Sequence, residues 1–153
     1  MSSGRPPEAT RNQSGRFGVY YLKSMAPISV TLARRDPPAA VVSLVGEHDT
    51  YSSRRLESEL AVLLDEGQRI AVDLRDASFI DSTTLSVLLA ARHRAQTSAL
   101  GFALVLPERD YTQVHHILDL TGLGSTFAIF GKLEDALSAV RSGRVEGEPV
   151  KAA

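Results

Sequence analysis

The chain has 153 residues, 43% of them hydrophobic, a formal net charge of -1 and no cysteine. That is enough for one ordinary core, and it excludes a protein-wide basic field for nucleic acid, a disulfide scaffold and thiolate chemistry. No segment approaches the roughly 20 apolar residues of a membrane helix, and the apolar run Phe17 to Leu22 is shorter than a signal-peptide core, so the expected compartment is the cytoplasm.

Residues 1–27 are expected to form a disordered or weakly ordered extension. Met1 to Arg16 holds Gly, Pro, Ser, Asn, Gln and Arg with almost nothing to bury against its ordering entropy. Phe17 to Leu22 has the composition of a short added strand. Ile28 to Arg34 alternates apolar and polar residues, as a half-buried strand does, and Arg35-Asp36-Pro37-Pro38 turns the chain. Ala39 to Val45 is a nearly continuous apolar run, the pattern of a strand covered on both faces. So short a connection makes the two an antiparallel hairpin.

Gly46-Glu47-His48-Asp49 ends the second strand, and the polar residues Thr50 to Ser53 follow. Leu56, Leu60, Leu63 and Leu64 then give a helix one apolar face, and Gly67 is placed to stop it. Ile70 to Leu74 is a third strand, so the unit predicts parallel pairing with a right-handed crossover. A helix beginning at Ser82 turns Leu85, Leu88, Leu89 and Ala95 toward the sheet and frays by Ser98. Gly101 to Leu106 is a fourth strand, Val114, Ile117 and Leu118 mark a short helix closed by Thr121-Gly122-Leu123-Gly124, and Phe127 to Phe130 is a brief fifth strand. Leu133, Ala136, Leu137 and Val140 line a last helix. The expected fold is one α/β domain over residues 28–142: a small, mixed, mainly parallel sheet of four or five strands, with four helices packed mainly on one face. A flexible tail is expected over 143–153.

The chain is organised around Ile70 to Ala91, where an alternating strand passes through Asp81-Ser82-Thr83-Thr84 into an amphipathic helix. Ser82 reads either as the N-cap of that helix or as a hydroxyl displayed at its start. Reactive groups that would converge in an enzyme are hard to find. His115 and His116 are adjacent, point about 100° apart on a helix and cannot chelate as an i, i+4 pair does. His93 lies between Arg92 and Arg94 on a solvated face. His48 beside Asp49 suggests a relay to Ser82, but no nucleophile-elbow glycines accompany it. No phosphate loop or dinucleotide turn follows a strand. The expectation is a binding module rather than an enzyme, without cofactor or metal.

Three motifs point further. Gly46-Glu47-His48-Asp49 resembles the Gly-Glu-Leu-Asp that ends the second strand of the STAS domain (sulphate transporter and anti-sigma factor antagonist). Val72-Asp73-Leu74 followed by Phe79-Ile80-Asp81-Ser82-Thr83-Thr84-Leu85 resembles that family's phosphorylation loop, and Leu118 to Leu123 with Phe127 and Leu133 to Leu137 is similar to its closing segment. The resemblance covers Ile28 to Val140 and is to the free-standing bacterial anti-sigma factor antagonists. It implies a STAS-like domain whose unphosphorylated form binds an anti-sigma factor of the GHKL serine-kinase type and so frees a sigma factor. Phosphorylation on Ser82 would switch binding off, and a PP2C-type phosphatase would reset it. The implied partner-binding residues are Asp49, Thr50, Asp81, Ser82, Thr83, Thr84 and Ser86, in a monomer or weak dimer that contacts neither nucleic acid nor membrane.

The chain departs from the family at Thr84 and Ser86, where Gly is usual, and at His48, where an apolar residue is. A side chain at 84 is expected to narrow the approach of a partner or change the loop. Asp49 reads as a partner contact or as a helix N-terminal charge. Other readings are Thr83 as the phosphoacceptor, a signalling scaffold with a different partner, and a small hydrolase using Ser82, His48 and Asp49.

Overall fold

β3 (Ala39–Leu44) is the strand to which the rest of the sheet is added. Its apolar run is buried on both faces, with Ala39, Ala40, Val41, Val42 and Leu44 all covered. Antiparallel β2 (Ile28–Ala33) lies on one side and parallel β5 (Arg69–Asp73) on the other. The structure, a computed structural model, describes residues 17–20, 28–33 and 36–147. Most of the expected N-terminal extension, part of the turn at Arg35 and residues 148–153 of the expected tail lie outside the described residues.

Among the described residues, β1 (Phe17–Tyr20), β2, β3, β5, β7 (Phe102–Val105) and β8 (Ala128–Phe130) form one sheet in that order. β1 pairs antiparallel with β2, as the short apolar run before the domain suggested, while β5, β7 and β8 continue parallel from β3. The α/β class, the hairpin and the parallel crossovers are those expected from the sequence.

Helices α1 (Thr50–Asp65), α2 (Ser82–Thr97) and α3 (Gln113–Thr121) cover one face. There Leu56, Leu60, Leu63, Leu88, Ala95, Val114 and Leu118 pack with the sheet side chains Val42, Leu44, Ile70, Val72, Phe102 and Leu104. The opposite face carries small residues, Ala39, Ala71, Ala103 and Ala128, and on them rests α4 (Leu133–Arg141) through Ala136 and Val140. Small side chains let the α4 backbone come close to the sheet, closest at Gly101, where a Cβ would meet the Val140 carbonyl well inside contact distance.

Packing runs past the boundary expected at residue 142. The Arg144 carbonyl accepts from Phe102 N at 2.9 Å, Arg92 Nε donates to the Val145 carbonyl at 2.9 Å, and Val145 is buried.

One element was absent from the sequence reading. β4 (Gly46–His48) and β6 (Ala77–Ile80) form a separate two-stranded parallel ladder beside the main sheet, pairing Glu47 with Phe79 and His48 with Ile80. Gly46 makes the branch possible: its φ of 81° lies in the left-handed region open to glycine, and it swings the chain off the end of β3. Strands this short show no legible alternation.

Gly101→Ala should lower stability by roughly 1–3 kcal/mol through overpacking against α4. Gly124→Ala, where a Cβ has nothing within 4 Å, should be nearly neutral. Thermal melts of the two variants check the contrast.

Candidate functional site

The short ladder sets two helix N-termini side by side. Asp49 follows His48 and caps α1, and Asp81 follows Ile80 and caps α2. The Asp49 carboxylate accepts from Tyr51 N at 3.0 Å, and the Ser52 hydroxyl closes a capping box by accepting from Asp49 N at 3.1 Å. This box starts α1 at Thr50, so the stretch Thr50 to Ser53 is its first turn rather than a polar link. The two caps are joined through one atom. The His48 carbonyl accepts both Asp81 N, at 3.1 Å, and the Thr84 hydroxyl, at 3.3 Å.

Asp81, not Ser82, is the N-cap of α2, so the capping reading of Ser82 is corrected. One Asp81 oxygen, Oδ1, accepts from Thr84 N at 2.9 Å, from the Thr84 hydroxyl at 3.1 Å and from the Thr83 hydroxyl at 2.6 Å. Partial burial pushes the Asp81 carboxyl upward. The donors from Thr83 and Thr84 together outweigh that push and hold it below its ordinary value. With the capping role taken, Ser82 is the first helical residue, exposed, and its hydroxyl makes no hydrogen bond among the described residues.

The other expected site residues divide by exposure. Asp49, Thr50, Thr83 and Ser86 are exposed, and Ser86 stands one turn after Ser82 on the same side of α2. Thr84 is fully buried, which corrects its assignment as a partner contact. Its side chain points inward to bind Asp81 and the His48 carbonyl, so it does not narrow the approach to Ser82.

His48 is buried too, and both of its ring nitrogens are engaged away from Ser82. Nε2 lies 3.1 Å from the Val45 carbonyl and must donate to it. Nδ1 of the neutral ring then accepts from the Ser52 hydroxyl at 3.1 Å. Asp49 gives its carboxylate to the start of α1 rather than to the imidazole. The three groups of the hydrolase reading are neighbours in space without forming a relay. Among the described residues no three His, Asp or Glu side chains gather as metal ligands, and no helix is long and apolar enough to cross a membrane.

Sequence reasoning, directed at polar groups, passed over several residues here. Tyr51 and Phe79 show 77% and 40% of their surface beside the two caps. Ser52 had a readable signal, an Asp three residues before a Ser at a helix start. Gln113 had none: from 33 residues away its side-chain amide bonds both backbone groups of Ile80, at 2.9 and 3.0 Å.

The family model for the STAS domain matches residues 31–136. The anti-sigma-F factor antagonist RsfB of Mycobacterium tuberculosis is 32% identical over 123 residues, covering 79% of this chain and 98% of that protein. The anti-sigma-B factor antagonist of Bacillus subtilis is 31% identical over 93 residues, 61% of this chain and 83% of that one. Among solved structures, an anti-sigma factor antagonist from Mycobacterium paratuberculosis superposes with a TM-score of 0.59 at 28% identity, covering 74% of this chain and 94% of that one.

Burial holds the His48 pKa below its ordinary 6.5, against the opposing pull of the Val45 carbonyl and the Asp49 charge. The folded chain therefore binds fewer protons than the unfolded one just below that value. The stability this contributes is whole above about pH 6.5 and is lost as pH falls toward the folded pKa. Between pH 7.5 and 5.5 the melting temperature should fall more for the wild type than for His48→Leu, and parallel melts at the two pH values check it.

Proposed function

This chain belongs to the STAS domain family, and we propose that it works as an anti-sigma factor antagonist governed by phosphorylation of Ser82. In this reading the unmodified protein binds an anti-sigma factor of the GHKL serine-kinase type in the cytoplasm and thereby frees a sigma factor. The same kinase phosphorylates Ser82 to end binding, and a PP2C-type phosphatase restores it. The named functions of the relatives support the partner class. The observation that carries the choice of residue is the unbonded, exposed hydroxyl of Ser82 beside a Thr83 hydroxyl tied to Asp81 at 2.6 Å. A kinase finds Ser82 Oγ free to attack, whereas Thr83 must first give up a charge-assisted bond.

The switch follows from electrostatics. A phosphate on Ser82 adds about -1.5 to -2 charges and three strong acceptors. At the first helical position it is exposed at the positive end of the α2 dipole, so the fold tolerates it. The surface changes far more, since Asp49 and Asp81 already make it acidic. A partner closing over the site would bury an uncompensated charge, at a cost of roughly 2–5 kcal/mol, or about 30-fold to several thousand-fold in affinity. Tyr51 and Phe79, exposed on either side, supply the apolar anchors that an all-polar patch lacks.

The test is capture of the partner by the unmodified chain, followed by titration of variants. Ser82→Ala should bind as the wild type does, and Ser82→Asp should bind about 30-fold or more weakly. Equal binding by Ser82→Asp ends the electrostatic account. Asp49→Asn should weaken binding with little change in melting temperature, because Asn caps a helix nearly as well as Asp. A large stability loss with binding intact would reduce Asp49 to its capping role.

A further inference from the structure

We infer that Gln113 is a positioning residue for the Ser82 switch, holding the loop from the side that β4 does not reach; this rests on the reading of Ser82 as the phosphoacceptor. In the parallel ladder the bonds between β4 and β6 run through His48, whose carbonyl takes Asp81 N. The N–H and C=O of Ile80 therefore face away from β4 and toward α3. Ile80 is fully buried, so water does not serve them.

Gln113, the first residue of α3, serves both. Its Oε1 accepts from Ile80 N at 2.9 Å and its Nε2 donates to the Ile80 carbonyl at 3.0 Å. The amide orientation is fixed by chemistry, because the reverse would set donor against donor and acceptor against acceptor. A primary amide presents one donor and one acceptor side by side, as a peptide group does, so Gln113 stands in for the missing third strand. α3 is in turn anchored in the core by Val114 and Leu118, and its start is closed by a capping box between Thr112 and His115. A continuous path of bonds thus runs from a core-anchored helix through Gln113 and Ile80 to Asp81, the cap that sets where Ser82 begins α2. Thr84 and His48 hold this corner from one side and Gln113 from the other.

The experiment compares Gln113→Met, which keeps bulk but loses donor and acceptor, with Gly101→Ala, which lowers stability through α4 without touching α3 or Ile80. Amide hydrogen exchange is followed on each free chain, and steady-state phosphorylation of Ser82 is measured with the kinase captured by the unmodified chain. In Gln113→Met the amides from Ile80 to Ser82 should exchange faster while those of Val72 and Leu104 hold. The kcat for phosphorylation should fall about tenfold or more at nearly unchanged KM, as misplacement of a reacting hydroxyl demands. Gly101→Ala loses global stability only, with nearly all of the chain still folded, so it should leave kcat and KM close to those of the wild type. Unchanged exchange at Ile80, or a Gln113→Met profile matching that of Gly101→Ala, overturns the role of Gln113. A wild-type chain that receives no phosphate on Ser82 overturns instead the switch reading on which that role rests.

Discussion

A single backbone carbonyl, that of His48, holds together the corner of this molecule from which α1 and α2 begin. By accepting from Asp81 N and from the Thr84 hydroxyl it welds the end of β4 to the start of α2. Asp49, the residue that follows it, caps α1. Two helices that begin 32 positions apart in sequence therefore start from one corner. The large sheet supplies the foundation, since α1 and α2 can meet there only because β3 and β5 run parallel and send their connections off the same end.

The geometry of that corner explains why its neighbouring hydroxyls differ in kind. Asp81 has one well-placed oxygen, and Thr83 and Thr84 both bind it. Each hydroxyl so held is either spent on the cap or sealed in the core. Ser82 falls at the one position of the turn whose side chain projects outward with nothing to bind among the described residues. Its availability follows from where the cap lies, and the helix would begin equally well without it.

Much of this was legible in the sequence. Long apolar periodic segments, Leu56 to Leu64 and Ala39 to Val45 above all, declared their elements because burial demands a fixed period. The change of period around Ser82 marked the corner where a strand passes into α2. The cap went unread at its true residue, since Asp81 and Ser82 are both good capping residues and only backbone geometry separates them. The β4–β6 ladder, the Gln113 clasp and the inward turn of Thr84 were illegible for a common reason. Each depends on residues far apart in sequence, and none leaves a local pattern. The stripe of Ala39, Ala71, Ala103 and Ala128 belongs with them: each alanine is unremarkable in its own strand, and together they form the floor on which α4 lies.

The inward-facing Thr84 has a wider consequence. Because its hydroxyl is satisfied entirely within the molecule, position 84 is hidden from any visitor to the surface. Sequence drift there alters the stiffness of the loop rather than the face it shows. Chains that differ at this position can therefore present the same surface around Ser82 while differing in how firmly the turn beneath it is held.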